Sequence, residues 1–328
     1  MKFQFVPMDF NIKKMPDVSG VAVDSKDNIY YTTRICGSLN TPVMVLSPEG
    51  RYLRAFGTGM LKNAHGICID REDNVYVVDG MRNCVFRFDP EGHHIGTIGT
   101  PDSPIDTGCV NYDYCTIQKS TDSFNHPAKI AATDGGDLFI ADGYGNARVH
   151  HYSKDGKHIK SWGEPGTARG QFNVVHGIGV DDQNGDVYVC DRENERIQIF
   201  TFDGELRAVW DDIWRPTDVC VRGDNVYVAE LGEIMFLDNV LYEPGSRTHH
   251  SQLRVFNRKG EELAQLGTAD SGAHGSFFAA HAITVSHAGE ILAGEVNFPR
   301  EDVWIAYPEG RGMSCKFHPA LQKFARTE

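Results

Sequence analysis

The sequence lacks the features that mark membrane proteins and nucleic-acid-binding proteins. It has no apolar run long enough to cross a membrane and no basic stretch. Acidic residues exceed basic ones, 45 against 32, which gives a net charge of −13. This balance argues against nucleic acid or an anionic membrane surface as a partner. Nothing in the sequence specifies an oligomeric state.

Cysteine pairs, secretory features and long helices are also missing. The eight cysteines are scattered and form no CxxC pair. The N-terminus lacks the charged, apolar and small-residue layout of a signal peptide. Both absences favour a cytoplasmic chain with reduced thiols. No segment sustains the 3.6-residue apolar period of a long helix, so we expect the chain to fold from strands.

Six related segments run through the chain. Each carries two short apolar runs separated by an Asp, Asn or Gly turn, as in Gly66–Asp70 and Val75–Val78, and such runs predict strands joined by hairpins. The segments begin at Val18, Ala64, Pro127, Val175, Pro216 and Ala280. Three of the five spacings between them fit the roughly 40–50 residues of a four-stranded propeller blade, and the two longer spacings indicate insertions.

These repeats predict an all-β fold, a six-bladed β-propeller, with residues 1–328 forming a single domain. Radial repetition of this kind protects the edges of the sheets. The sixth blade is short of strands before the C-terminal segment. We therefore expect the N-terminal segment Phe3–Phe10 to complete it and close the ring.

The second residue of each repeat alternates between a small residue and a histidine. In chain order these residues are Ser19, His65, Ala128, His176, Thr217 and His281. In a closed ring the three histidines would lie about 120° apart at one height and converge on the axis. Three imidazoles that meet at one point with an open side are the ligand set of a catalytic metal. His65, His176 and His281 are therefore the candidate metal ligands.

The end of the second strand of each repeat should lie on the same face as the histidines, because that strand returns to the face where the first strand starts. Arg34 and Arg192 share one slot there in opposite blades, and their guanidinium forks suit an anionic ligand. Tyr144 follows the same slot in the third blade. Insertions at about 101–126 and 231–251 also emerge on this face, and we expect them to cover the site.

Specific motifs lie in the middle of the chain. Residues Phe124–Asp181 read FNHPAKIAATDGGDLFIADGYGNARVHHYSKDGKHIKSWGEPGTARGQFNVVHGIGVD, and Val187–Phe200 read VYVCDRENERIQIF. These segments closely resemble NHL-repeat propellers. The motifs DGYxNxR, WG…GQF…HG and DREN(x)RIQ resemble, more narrowly, the lyase domain of the peptide-amidating enzymes, peptidyl-α-hydroxyglycine α-amidating lyase. NHL-type character covers nearly the whole chain, and the lyase-like match is strongest over about 57–200.

The resemblance implies a zinc site and roles for six residues. The family's three zinc-binding histidines, its catalytic tyrosine and its two active-site arginines all have counterparts in this chain. They match His65, His176 and His281, then Tyr144, then Arg34 and Arg192. The expected cofactor is Zn²⁺, with iron or manganese as alternatives, and the expected partner is a small-molecule substrate.

The chain also departs from the family pattern. The family binds a structural calcium partly through an aspartate directly after the third histidine, where this chain has Ala282, which argues against Ca²⁺ here. A disulfide of the extracellular members uses the residue after the tyrosine, which here is Gly145. A cytoplasmic chain without a copper monooxygenase domain is expected to act on a molecule other than a secreted peptide.

Three hypotheses for the function follow. The first is a metal-dependent lyase that cleaves a C–N or similar bond next to a hydroxyl-bearing carbon, with Tyr144 as base and with Arg34 and Arg192 orienting an anionic group. The second is a metal-dependent hydrolase of a small lactone, ester or amide. The third is a non-catalytic NHL scaffold that binds protein or nucleic acid, against which the acidic charge counts.

Overall fold

Strands account for most of the regular structure. The computed structural model describes residues 1–11, 17–34, 43–111, 113–232, 249–268, 275–296 and 320–328. These residues form six four-stranded antiparallel sheets and three short 3-10 helices, and they contain no α-helix. Within the same ranges, no helix is long and apolar enough to cross a bilayer.

The sheets are the blades of a propeller. Strand β1 spans Phe3–Val6. Blade 1 contains β2 (Gly20–Val23), β3 (Ile29–Thr32), β4 (Val43–Leu46) and β5 (Tyr52–Phe56). Blade 2 contains β6 (Ala64–Ile69), β7 (Val75–Asp79), β8 (Cys84–Phe88) and β9 (His94–Ile98). Blade 3 contains β10 (Pro127–Ala132), β11 (Leu138–Asp142), β12 (Arg148–Tyr152) and β13 (His158–Trp162).

The second half of the ring repeats this arrangement. Blade 4 contains β14 (Val175–Asp181), β15 (Asp186–Asp191), β16 (Arg196–Thr201) and β17 (Leu206–Trp210). Blade 5 contains β18 (Pro216–Arg222), β19 (Asn225–Glu230), β20 (Gln252–Asn257) and β21 (Glu262–Leu266). Blade 6 contains β22 (Ala280–Val285), β23 (Ile291–Glu295) and β24 (Leu321–Arg326), with β1 as its fourth strand. The 3-10 helices are Gly80–Arg82, Tyr114–Thr116 and Arg192–Asn194.

The ring is closed at both its inner and outer edges. Each innermost strand contacts the innermost strand of the next blade, and β2 of blade 1 contacts β22 of blade 6. At the outer edge, β1 pairs with β24, with Phe3 opposite Arg326 and Val6 opposite Lys323. The predicted six-bladed β-propeller is confirmed. The prediction that the N-terminal segment completes the sixth blade is also confirmed, through the strand Phe3–Val6.

Short acidic turns join the first two strands of the blades. In blade 2, the carboxylate of Asp70 accepts hydrogen bonds from the backbone N–H groups of Glu72 and Asn74, both at 2.9 Å. Asp73 adopts a left-handed conformation with φ of 61°, which Asp tolerates better than most residues. Its side chain accepts a bond from the backbone of Ser25 in blade 1 at 2.8 Å. The turns therefore reverse the chain and also tie neighbouring blades together.

Apolar side chains fill the space between neighbouring blades. Phe139 and Val149 of blade 3 pack with Phe172, Val189 and Phe200 on the blade 4 side, and all five are buried. Burial of such a side chain stabilises the fold by roughly 1.5–3 kcal/mol. The blades are held to one another by these layers, which leaves the central channel free for polar side chains.

The structure describes most of the first predicted insertion but only the ends of the second. The segment 101–126 lies between β9 and β10 and contains the helix Tyr114–Thr116. The segment 231–251 lies between β19 and β20, as expected, but its residues 233–248 lie outside the described residues. Its expected role as a cover for the site stays a prediction.

Candidate metal and active site

A β-bulge lies at the second residue of the innermost strand in blades 2 to 6. In blade 2, Ala64 pairs with Asp79 and Gly66 pairs with Val78, so His65 has no partner of its own in the ladder. A bulge re-aims the side chain of the extra residue. The local backbone thus directs one side chain per blade out of the regular pleat.

The three predicted histidines meet in the channel. The ring nitrogens of His65, His176 and His281 that face one another lie within 4.8 Å. Their ring centroids are 4.8 to 5.0 Å apart, and the rings meet edge to face. All three residues are buried, with at most 4% of their surface exposed. Among the residues that the structure describes, this is the one cluster of three or more His, Cys, Asp or Glu side chains able to hold a metal ion.

Backbone carbonyls of the intervening blades fix the orientation of each ring. In every case Nδ1 contacts the carbonyl oxygen of the second residue in the next blade. The pairs are His65 with Ala128 at 2.9 Å, His176 with Thr217 at 2.6 Å, and His281 with Ser19 at 2.8 Å. A carbonyl only accepts, so each Nδ1 carries the proton and donates it. The small residues of the alternating pattern are therefore the orienting partners of the histidines.

The three rings are neutral and present their Nε2 lone pairs to one another. Burial, with help from the Arg34 guanidinium, lowers the pKa of His65 to about 3. Burial also lowers the pKa of His176 and His281 well below the ordinary range. The Nε2 atoms of His65 and His281 have no hydrogen-bond partner among the described residues. Buried acceptors without a partner are costly and rare, so these two atoms point to a bound group.

The donor set fits a transition metal. Neutral imidazole with its second nitrogen bonded to a carbonyl is the form that binds zinc, and the carbonyl bond fixes the ring for coordination. Imidazole also binds iron, whereas manganese prefers oxygen ligands and fits this set less well. A calcium ion requires oxygen ligands, and Ala282 supplies no side-chain oxygen next to His281.

Tyr144 stands beside the histidines on a loop held very close to blade 4. Its hydroxyl lies 2.8 Å from Nε2 of His176, and its ring lies edge to face with His65 at 5.3 Å. The loop can approach because Gly143 has no side chain: a Cβ there would lie 2.2 Å from the backbone nitrogen of Val175. Gly143 is thus required for the contact between Tyr144 and His176.

Arg192 binds Tyr144 from the other side. One terminal nitrogen donates to the Tyr144 hydroxyl at 3.1 Å, and the guanidinium lies 5.3 Å from the centre of the tyrosine ring. Its Nε donates to Glu193 at 2.7 Å, and Glu193 also accepts from Arg215 at 2.9 Å. Although burial opposes it, these two arginines lower the pKa of Glu193 and keep it ionised. Glu193 therefore holds Arg192 against the tyrosine and binds Arg215 through the same oxygen.

Arg34 lies at the rim of the same site. Its backbone N–H donates to Asp17 at 3.1 Å, and its Nε lies 3.5 Å from the other oxygen of that carboxylate. Its positive charge contributes to the lowered pKa of His65, His176 and His281. The side chain is 18% exposed, so it faces both the histidines and the solvent.

The insertion 101–126 reaches the tyrosine loop. The Thr107 hydroxyl donates to the carbonyl of Gly145 at 2.5 Å, and Sγ of Cys109 lies 3.8 Å from the carbonyl of Tyr144. Burial, followed by the charge of Glu193, raises the pKa of Tyr114 in the same insertion. This insertion therefore supports the loop that carries Tyr144.

The structure brings five of the six predicted site residues into contact and places the sixth at the rim. Sequence reasoning missed the carboxylates that hold the arginines, Asp17 and Glu193, and the second guanidinium on Glu193, which is Arg215. Glu193 had a local signal, since it directly follows Arg192. Asp17 also had one, because it precedes the first strand of blade 1 and Arg34 follows the second, so the hairpin brings the two residues together. Arg215 had none, because its contact with Glu193 depends on how blades 4 and 5 approach.

Comparisons with known proteins support the resemblance seen in the sequence. The NHL repeat family matches residues 124–152 and 172–200. The peptidylglycine alpha-amidating monooxygenase of Rattus norvegicus is 29% identical over 211 residues, which cover 57% of this chain and 21% of that protein. The peptidyl-alpha-hydroxyglycine alpha-amidating lyase 1 of Drosophila melanogaster is 29% identical over 167 residues, 48% of this chain and 29% of that protein. The matched part spans about a fifth of the length of the rat relative.

Other matches are NHL proteins and propellers. The NHL repeat-containing protein 3 of Mus musculus is 30% identical over 226 residues, 64% of this chain and 61% of that protein. A streptogramin B lyase structure aligns with a TM-score of 0.58 at 14% identity over 98% of this chain and 97% of that chain. A gluconolactonase from Xanthomonas campestris aligns with a TM-score of 0.56 at 13% identity, over 94% and 86% of the two chains. The chain carries NHL repeats, it resembles the amidating lyases, and its relatives include enzymes.

Proposed function

We propose that the protein is a metal-dependent lyase that cleaves a C–N or similar bond next to a hydroxyl-bearing carbon of a small anionic molecule. One observation carries this proposal. The nitrogens of His65, His176 and His281 lie within 4.8 Å of one another, and the Tyr144 hydroxyl lies 2.8 Å from His176 and within hydrogen-bond distance of Arg192. Three candidate metal ligands, a tyrosine hydroxyl and a guanidinium group thus meet at one point, which supports the proposal.

The three histidines would hold the metal through their Nε2 atoms, with zinc as the metal that best suits a neutral three-imidazole set. When bound there, the metal supplies Lewis acidity toward a substrate oxygen. The protein supplies the rest. The Ala128, Thr217 and Ser19 carbonyls keep the proton of each ring on Nδ1 and leave the Nε2 lone pair for a metal, and burial keeps the rings neutral.

Tyr144 is the proton carrier in this proposal. As the phenolate, it accepts the proton of the substrate hydroxyl, and the electron pair of that O–H bond forms the carbonyl as the C–N bond breaks. The departing nitrogen then takes the proton from Tyr144. An α-hydroxyglycine amide would give an amide and glyoxylate, with no oxidant and no net consumption of water. Arg192 stabilises the anionic form of the tyrosine through a charge-assisted hydrogen bond at 3.1 Å.

The arginines favour an anionic substrate. Glu193 fixes Arg192, and the rigid fork of a guanidinium suits a carboxylate. Arg34 lies at the rim with part of its side chain in solvent, where an entering anion meets it first. Both charges also offset negative charge that develops on the reacting oxygen.

The test is a metal analysis followed by a substrate screen. The purified protein should contain one transition-metal ion per chain, and it should release glyoxylate from a hydroxyglycine amide. Tyr144→Phe should reduce that rate by about 10²–10⁴-fold, the usual contribution of a positioned acid or base. Tyr52→Phe is the matched control, because that ring lies 43% exposed on the outermost strand of blade 1.

The outcomes separate the candidate functions. A protein without stoichiometric metal would refute both enzyme proposals and leave the NHL scaffold. Metal without glyoxylate release, together with turnover of a lactone, ester or amide, would favour the hydrolase. Equal rates for Tyr144→Phe and Tyr52→Phe would exclude Tyr144 as the proton carrier.

A further inference from the structure

A buried ion pair lies inside the channel next to the histidines. Nζ of Lys129 donates to Oδ2 of Asp218 at 2.6 Å, and the two side chains are 11% and 2% exposed. The residues come from blades 3 and 5, so the pair reaches past blade 4. Lys129 and Asp218 line the same enclosure as His65, His176 and His281.

The surrounding residues make room for this pair. At the equivalent position blades 1, 2 and 4 have glycine and blade 6 has Ala282. A Cβ at Gly66 would lie 2.8 Å from Cα of Lys129, and a Cβ at Gly177 would lie 2.6 Å from Cα of Asp218. A buried ion pair is a poor source of stability, because removing two charges from water offsets most of their attraction. The pair therefore calls for a role other than stabilising the fold.

The pair is covalently adjacent to two of the orienting carbonyls. Lys129 directly follows Ala128, whose carbonyl accepts from His65, and Asp218 directly follows Thr217, whose carbonyl accepts from His176. Asp218 also accepts a bond at 3.0 Å from the backbone N–H two residues beyond the third histidine. A change in the separation of Lys129 and Asp218 thus moves the acceptors on which the rings depend.

We propose that Lys129 and Asp218 are a positioning pair for the histidine centre. Their ion pair holds β10 and β18 at a fixed separation, so that the Ala128 and Thr217 carbonyls aim His65 and His176 at a common point. The effect on metal affinity rests on the proposed function, whereas the effect on the rings is a property of the protein alone.

The first measurement is zinc affinity by competition with a chromophoric chelator on the full chain. The variant Lys129→Met/Asp218→Asn removes both charges at similar volume and keeps an acceptor for the backbone. We expect a 10- to 100-fold loss of affinity, the usual effect of losing a group that orients a metal ligand. The matched control is Lys323→Met/Glu290→Gln, which removes a partly buried pair at 3.1 Å elsewhere in the fold and should keep wild-type affinity.

The second measurement needs no metal. In ¹⁵N NMR spectra of the metal-free protein, His65 and His176 should show protonated Nδ1 in the wild type and in the control. In the double variant we expect their ring signals to shift or broaden. Unchanged ring signals would overturn the proposal, whatever the zinc affinity. If the double variant fails to fold, Asp218→Asn alone is judged by the same spectra. A wild-type protein that binds no zinc refutes the proposed function but leaves this spectral test decisive.

Discussion

Replacing Gly143 by alanine tests whether close backbone packing creates the site. The new Cβ would lie 2.2 Å from the nitrogen, 2.3 Å from the oxygen and 2.7 Å from the carbonyl carbon of Val175. These are backbone atoms of β14, so no flexible side chain can yield. Restoring ordinary contacts requires the Tyr144 loop and the strand of His176 to separate by roughly 1 Å, and such a misplacement can lower a rate by about 10²-fold.

The same change has a calculable effect on stability. Forcing an extra methyl group into a packed region costs about 1–3 kcal/mol. An unfolding entropy of about 2.1 cal/mol/K per residue, over 328 residues, converts this cost into a fall in Tm of about 1.5–4 °C. The loss of activity should therefore be large while the loss of stability stays small.

Gly96→Ala is the matched control, because a Cβ at Gly96 meets no atom within 4 Å. Thermal unfolding and glyoxylate release should be measured on both variants. The control should keep its Tm and its rate. If Gly143→Ala behaved like the control in both assays, the position of Tyr144 would not depend on the close approach of the two segments.

Three further predictions follow from the same geometry. His176→Ala should lose the bound metal, measured by elemental analysis, while His158→Ala on the exposed outer strand should keep it. Between pH 6.5 and about 3 the unfolded chain binds a proton that folded His65 does not, so the metal-free protein should lose stability as the pH falls, by about 3 kcal/mol near pH 4.5 from this group. Urea unfolding should show a weaker pH dependence in His65→Gln. Arg192→Lys should lower kcat/KM by about 10-fold or more, because one ammonium group cannot replace a planar guanidinium that joins the Glu193 carboxylate to the Tyr144 hydroxyl. Arg207→Lys is the control and should have no effect, because the Arg207 side chain is half-exposed.

The fold was predictable because similar segments recur along the sequence and because their turns contain the Asp, Asn and Gly residues that favour hairpins. Asp70 and Asn74 mark one such turn, and the structure shows the hydrogen bonds that make it. The closure of blade 6 by Phe3–Val6 followed from counting strands. The bulges at the repeat histidines were not predictable, since a one-residue shift in pairing leaves no distinct pattern in a short apolar run.

The site residues that occupy equivalent positions in the repeats were predictable from the sequence. His65, His176 and His281 occupy one repeat position, so their meeting follows from the ring. The ion pair of Lys129 and Asp218 breaks the repeat, and its partners come from strands that are not neighbours. A contact between strands that are not neighbours depends on the width of the channel, and that width cannot be read from the sequence.

The hydrogen bond from His281 to the Ser19 carbonyl joins blade 6 to blade 1 across a separation of 262 residues. The other two histidines find their acceptors 63 and 41 residues away, each in the next blade along the chain. During synthesis those two rings can be oriented early, whereas His281 must wait until the two ends of the chain meet, and contacts so distant in sequence form late. An ion held by all three rings binds only the closed ring, so its binding energy adds to the stability of the joint between the first and last blades.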